Sequence, residues 1–214
     1  MDKSYWNKYY SKKLGVQEPS SFAVYALKMM SDGDSILELG CGNGRDSFFF
    51  ADNGIQVFAL DQSKIVINQI KKENINPRFI CKDILSVEEY FPYKIDHGYA
   101  RFVLHALNKT EADKAIKIMG RMLPPSGIFF SESRSVKSSL YGTGQALGQD
   151  VYETDHKRRF IHKNDLIHQL ESNGFTIENA IESNGLAIYK DDDPVVIRIT
   201  ARKKPDSSKI TDKQ

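Results

Sequence analysis

The chain has 214 residues, with 30 Lys and Arg against 28 Asp and Glu, 40% hydrophobic and 27% charged residues, a size and composition that suit one globular domain with its own core. A net charge of +2 is too near balance to point to nucleic acid, and no apolar run approaches the roughly 20 residues that a membrane-spanning helix needs. The first residues lack the apolar stretch of a secretion signal, and two cysteines, Cys41 and Cys81, cannot build a disulfide framework, so buried thiols in a cytoplasmic protein are expected.

Residues 1–30 read as helical and amphipathic: Tyr5, Trp6, Tyr9 and Tyr10 share a face, and Phe22, Tyr25, Ala26 and Met29 repeat the spacing. Ser31-Asp32-Gly33-Asp34 breaks that pattern, and residues 35–39 form a short apolar strand entering a glycine-rich turn. A helix over 46–53 stops at Asn53-Gly54, a strand over 55–60 ends at Asp61, and a helix over 63–73 takes Ser63 as its N-cap. Strands follow at 78–81, ending near Asp83, and at 95–100. A helix over 110–123 is closed by Pro124-Pro125, and 127–131 is a fifth strand. Strands alternating with helices require crossover connections and hence a mainly parallel sheet covered on both faces. Residues 132–160, with their glycines and serines, read as irregular. After a helix over 164–172, the runs 175–182 and 195–202 have no long helix between them and read as an antiparallel hairpin, followed by a polar tail from 203 onward.

The strongest signal is the strand that leads into Glu38-Leu39-Gly40-Cys41-Gly42-Asn43-Gly44 and then a helix. Glycines let the backbone approach a ligand closely, and the turn brings the unpaired N–H groups of a helix start to the same place. A dinucleotide loop demands glycine at its sixth position, where Arg45 stands and would obstruct close helix–strand packing. Glu38 also sits poorly beside a pyrophosphate and suits a ligand bearing an amine and a sulfonium.

On these residues the chain resembles the class I S-adenosylmethionine-dependent methyltransferases over most of its length. The resemblance implies a Rossmann-like three-layer α/β sandwich, its seven-stranded sheet mostly parallel with a C-terminal antiparallel hairpin. It implies a single domain over 1–202, with an N-terminal helical lid (1–30), a substrate-side insertion (132–160) and a flexible tail (203–214). S-adenosylmethionine is the implied cofactor, its methionine part at Glu38, Gly40, Cys41, Gly42 and Gly44. Asp61, with Gln62, would take the ribose hydroxyls, Asp83 and the Ile84 N–H the adenine, and Ala100 belongs to the segment lining the transfer site. Cys41 fits packing better than chemistry. No metal-ligand spacing stands out, so no metal is expected. Tyr5-Trp6-x-x-Tyr9-Tyr10, Glu18-Pro19-Ser20 and the extension Gly42-Asn43-Gly44-Arg45-Asp46-Ser47 look like a subgroup of thiopurine- and tellurite-type enzymes and methyltransferases of surface-polysaccharide pathways.

Methyl transfer from a sulfonium needs in-line approach and exclusion of water more than side-chain chemistry; a base matters when the acceptor is a hydroxyl. The Asn/Asp-Pro-Pro-Tyr motif of enzymes that methylate exocyclic amines or glutamine amides is absent, Ala100-Arg101-Phe102 standing in its place, and no Pro-Cys pair of a pyrimidine C5 enzyme is found. Arg101, Arg134, Arg158 and Arg159 are candidates to bind an anionic acceptor, because guanidinium offers paired donors; the 157–159 run reads equally as solvated charge. Tyr9 belongs to an aromatic face that is either lid or plain core. His105, expected on a helix beyond the fourth strand, is the candidate base beside Arg101, or else a packed histidine. The expected activity is O-methylation of a small or glycan-linked anionic acceptor. A catalytically silent subunit that binds S-adenosylmethionine and scaffolds a partner protein is the alternative, a homo-oligomer stays open, and Arg45 argues against a nicotinamide oxidoreductase.

Overall fold

A computed structural model describes residues 18–70 and 75–205. Helix α1 (Ser21–Leu27) starts at Ser20, whose Oγ accepts the Ala23 N–H at 3.0 Å. The alternating part of the chain then runs β1 (Ser35–Leu39), α2 (Arg45–Asp52), β2 (Gln56–Asp61), α3 (Lys64–Ile70), β3 (Arg78–Cys81), the single turn α4 (Val87–Tyr90), β4 (His97–Arg101), α5 (Lys109–Met122) and β5 (Ile128–Arg134). Ser63 caps α3 as expected, its Oγ accepting the Val66 N–H at 3.3 Å. Asn108 and Glu111 start α5 with a reciprocal pair of side-chain to backbone bonds, each 2.9 Å. At the other end Leu123 is extended, as a residue before proline must be, and the helix stops there.

With β9 (Phe175–Ser183) and β10 (Val196–Lys203) near the end of the described chain, the seven-stranded sheet has the order β3-β2-β1-β4-β5-β10-β9. The five strands from β3 to β5 are parallel, whereas β10 runs antiparallel to both β5 and β9. Strand alternation sorts the core onto two faces. Leu37, Phe58, Phe129 and Ile197 pack with α5 and α6 (Lys163–Ser172) on one, while Ile36, Val57, Tyr99 and Phe130 pack with Phe22 of α1, Phe50 of α2 and Ile67 of α3 on the other. This is the expected three-layer sandwich.

Two consequences place the site. The strand order reverses between β1 and β4, which opens a crevice outside their carboxyl ends. Because β10 is reversed, Val196 at its start pairs with Arg134 at the end of β5, so the β9–β10 turn (184–195) lies over that same edge.

The structure corrects some sequence expectations. Residues 132–160 are not irregular: β5 continues through Arg134, and β6 (Gln145–Gly148), β7 (Val151–Glu153) and β8 (Lys157–Arg159) make a separate antiparallel sheet. His105 is not on a helix but in a turn before α5. Arg101 and Arg134 are the last residues of β4 and β5 rather than residues beyond them. Cys81 is only half-buried, unlike Cys41. Tyr5, Trp6, Tyr9 and Tyr10, the tail beyond 205 and the final turn of the helix expected over 63–73 lie outside the described residues. No described helix is long and apolar enough to cross a membrane.

Candidate active site

A cavity of about 860 Å³ opens at the carboxyl edge of the parallel strands. Its floor is the glycine loop after β1, with Glu38, Gly40 and Cys41; Asp61 and Gln62 flank it at the end of β2. A smaller cavity of about 60 Å³ shares Gly40, Asp61 and Gln62 with it and adds Asp83, Ile84 and Leu107. The two therefore form one crevice running past the ends of β1, β2 and β3.

The loop needs glycine for two reasons. Gly40 and Gly44 have φ of +68° and +76°, which side-chain-bearing residues avoid. A Cβ on Gly40 would stand 2.6 Å from Val103 Cγ2, and one on Gly44 would stand 2.8 Å from Phe79 Cζ. Gly44 precedes α2 and gives the helix no side-chain cap, so its first N–H groups stay at the loop.

The acids on this crevice differ in environment. Glu38, at the end of β1, is buried and accepts a hydrogen bond from the Ser47 hydroxyl; burial, then the nearby Asp46 carboxylate, push its pKa up to about 8. Asp61 accepts the Gly42 N–H at 3.0 Å and the Ser63 N–H at 2.8 Å, and burial raises it despite those bonds. It thus holds the glycine loop against the end of β2. Asp83 is exposed, and its Oδ1 accepts the Leu85 N–H at 2.9 Å. Burial pushes the Cys41 thiol well up, so this sulfur packs and does not ionise.

Asp46 was not singled out from sequence as a site residue. It lines the cavity from the first turn of α2 and accepts the Ser20 N–H at 2.8 Å, the Ser20 hydroxyl at 2.7 Å and the Tyr99 hydroxyl at 2.9 Å. Burial opposes its ionisation, but Arg45, Arg101 and the Ser20 donors outweigh it and hold the carboxyl below its usual value. This network ties the entry to α1 to the start of α2 after the glycine loop and to β4. Its sequence signal was a polar residue in the first turn of an otherwise apolar-faced helix.

The expected anion-binding arginines separate into distinct environments. Arg101 lines the cavity, yet its Nε lies 2.9 Å from Oε1 of the wholly buried Glu132. Glu132 is in register with Arg101 on one side and Arg198 on the other, and bonds to Arg198 as well, so three charges stand in one row across β4, β5 and β10. Arg134 lines the cavity, pairs with Asp192 and has Nη1 buried without a hydrogen-bond partner among the described residues. Arg158 lines the cavity but is tied within its own turn to Asp155 at 2.7 Å and Thr154 at 2.6 Å. Arg159 does not line it: its Nε and Nη2 donate to the Leu107 and Leu104 carbonyls at 2.9 and 2.7 Å, bracing the His105 turn. Ala100, expected at the cofactor, is buried in the core beneath the site, and Arg101, Phe102 and Val103 line the cavity instead.

His105 lines the cavity and is buried, but its Nδ1 accepts the Arg134 backbone N–H at 3.2 Å. That bond places the ring proton on Nε2. Burial first, then the Arg134 and Arg159 charges, hold its pKa well below the ordinary value, so the ring is a neutral donor. The far wall comes from Leu186, Ile188, Tyr189 and Asp192 of the β9–β10 turn, which sequence did not mark, and from His156 with Asp155 in the expected substrate-side insertion, whose ring Nδ1 and carboxylate stand 3.2 Å apart. Among the described residues no cluster of three metal-ligating side chains exists.

Residues 36–127 match the family described as Methyltransferase domain. Phosphoethanolamine N-methyltransferase 1 of Zea mays is 35% identical over 115 residues, which are 51% of this chain and 23% of the maize protein. The chain thus spans less than a quarter of that relative's length. An uncharacterized methyltransferase of Synechocystis is 24% identical over 149 residues, 69% of each chain. Among solved structures, an S-adenosylmethionine-dependent methyltransferase from Methanosarcina mazei superposes with a TM-score of 0.69 at 17% identity, covering 85% of this chain and 98% of that one. The 1,6-didemethyltoxoflavin-N1-methyltransferase of Burkholderia thailandensis, solved with its substrate and S-adenosylhomocysteine bound, gives a TM-score of 0.63 at 16% identity, covering 95% and 80%. At such identities these likenesses establish the shared fold.

Proposed function

We propose that the chain is a class I S-adenosylmethionine-dependent methyltransferase that transfers a methyl group to a small anionic acceptor held at the far end of the crevice; the match of residues 36–127 to the methyltransferase domain and the shared fold support this reading. The observation that carries this reading is the placement of Glu38, Asp61 and Asp83 on one continuous crevice around a glycine loop whose backbone leaves no room for a Cβ. The donor set fits a cationic nucleoside: carboxylates for an ammonium, a pair of hydroxyls and an exocyclic amine, and no cluster of basic groups on the loop to neutralise a pyrophosphate.

When bound, the cofactor supplies a methyl group already activated on a sulfonium. Glu38 would take the ammonium of its methionine part, Asp61 and Gln62 the ribose hydroxyls, and Asp83 with Ile84 the adenine edge. Asp46, through Ser20 and Tyr99, holds the loop in place. Arg101, neutralised by Glu132, shapes the wall, and Phe102 lies over it with 4.4 Å between the guanidinium carbon and the ring centroid. Arg134 and Arg158 give the acceptor end its positive groups.

His105 donates a hydrogen bond to the acceptor and takes no proton from it. An oxygen acceptor that is already ionised therefore suits the site better than a neutral hydroxyl. The nitrogen acceptor in the name of the plant relatives is the second arm of the same assay. Isothermal titration with S-adenosylmethionine, S-adenosylhomocysteine and NAD tests the cofactor: the first two bind and NAD does not. Release of S-adenosylhomocysteine is then measured with a panel of small carboxylates, phosphate monoesters and phosphoethanolamine. Tight binding of NAD alone would overturn the reading.

A further inference from the structure

Arg134 ends β5 with 8% of its surface exposed, and its guanidinium is only partly used. Nη2 donates to Asp192, while Nη1 is buried and meets no acceptor among the described residues. A guanidinium offers two parallel donors matched to two oxygens of one anion, and leaving one of them buried and unpaired is unfavourable. Asp192 is a different kind of partner. It is 44% exposed on its side chain and sits on the β9–β10 turn, not on the sheet. A carboxylate so placed regains its hydration when released, so this pair is easily broken.

The turn is built to move as a unit. Tyr189 and Asp192 exchange backbone bonds of 2.9 and 3.0 Å, which close the tip on itself. The Leu186 carbonyl accepts from Ser21 Oγ and Arg198 Nη2, each at 2.5 Å, and so anchors the near side of the turn to α1 and β10. Beyond that anchor, Ile188 is 65% exposed at the cavity wall. Across the cavity stand Phe102, the His105 donor and Arg158. With Asp192 withdrawn, Arg134 and Arg158 line this part of the cavity, Arg158 being paired with Asp155.

We propose that Asp192 is an internal stand-in for the acceptor's anionic group: an acceptor phosphate or carboxylate replaces it on Arg134, takes up the idle Nη1 donor, and releases the tip of the 184–195 turn. This rests on the methyltransferase reading only for calling the displaced site the acceptor's; the ion exchange itself is testable without cofactor.

The test titrates inorganic phosphate and, separately, acetate into the full chain, with and without S-adenosylhomocysteine, following amide shifts by NMR. The proteins are wild type, Asp192→Asn, Arg134→Gln and the double variant. Asp192→Asn keeps the turn and removes the competing charge, so phosphate or acetate binds about tenfold more tightly or better. Arg134→Gln abolishes binding in both backgrounds. Arg134→Lys, which keeps the charge but not the fork, recovers part of the gain in the Asp192→Asn background and guards against a folding defect in Arg134→Gln. A larger response to phosphate than to acetate identifies a phosphate-bearing acceptor, and the reverse a carboxylate. No tightening in Asp192→Asn, or a gain that survives Arg134→Gln, overturns the proposal. Failure of S-adenosylhomocysteine to bind wild type would instead overturn the cofactor reading, while the anion data still decide the exchange.

Discussion

The Nδ1 of His105 accepts the Arg134 backbone N–H at 3.2 Å, which commits one ring nitrogen to holding the end of β5 beside the cavity. Removing the ring leaves a buried N–H unpaired, a cost of about 1–3 kcal/mol. Asparagine keeps an acceptor near the same place. His105→Ala should therefore lower the urea midpoint markedly and His105→Asn only slightly.

The pH dependence of the same ring separates wild type from both variants, because neither replacement titrates. Burial and neighbouring cations hold the folded His105 below its ordinary 6.5, so the unfolded chain binds the proton more readily. Stability from this group is present above 6.5 and is lost as the pH falls below it. Urea titrations at neutral and mildly acidic pH should show wild type losing more stability than His105→Asn on acidification. Equal losses would remove the assigned tautomer.

Glu38 has the opposite sign. Its folded pKa is raised to about 8 from 4.5, so the folded chain holds a proton that the unfolded chain has lost. Its contribution is fully present below 4.5, drains away as the pH climbs from there, and is gone once the pH has risen through about 8. Glu38→Gln should gain stability relative to wild type at alkaline pH and little at acidic pH, read by thermal melts. A cationic ligand bound beside this carboxyl favours its ionised form. Titration of S-adenosylmethionine at neutral pH in two buffers of different ionisation heat should thus detect proton release in wild type and none in Glu38→Gln.

What was legible in the sequence is what local chain geometry dictates. The turn from Glu38 to Gly44 needs glycine at Gly40 and Gly44 whatever surrounds it, and acids at Asp61 and Asp83 follow from where parallel strands end. The antiparallel hairpin was visible because no helix separates its strands. The β6–β8 sheet was not, since β6 is exposed throughout and shows no alternation of apolar and polar residues. Side-chain pairing across strands was equally hidden. Nothing local marks Glu132 as the partner of Arg101 and Arg198, or the Arg134 N–H as the group that sets the His105 tautomer.

The row Arg101–Glu132–Arg198 predicts unequal costs for its members. Glu132 is wholly buried between two guanidiniums, so Glu132→Gln leaves two cations without their counter-charge, a loss of about 3–5 kcal/mol. Arg101→Met removes one cation but leaves Glu132 paired to Arg198, and should cost clearly less. Chemical denaturation of both variants checks the order. If Arg101→Met is the more damaging, Glu132 is not the hub of the row.

Gly44 and Gly33 allow the strain of a left-handed backbone to be separated from the need for close approach. Both have positive φ, +76° and +86°, so an alanine at either position carries the strain of about 1–2 kcal/mol. At Gly33 an added Cβ meets nothing within 4 Å, whereas at Gly44 it stands 2.8 Å from Phe79 Cζ and 3.1 Å from Phe48 Cε2. Gly33→Ala should therefore lower the melting temperature by a few degrees, about 2–4 °C per kcal/mol for a chain of this size, and leave S-adenosylhomocysteine affinity unchanged. Gly44→Ala should lower it further and weaken S-adenosylhomocysteine by about tenfold or more, because the loop must shift off the aromatic pair and carry its backbone N–H groups with it. Equal effects of the two substitutions on cofactor affinity would mean that the loop's contact with Phe79 plays no part in shaping the crevice.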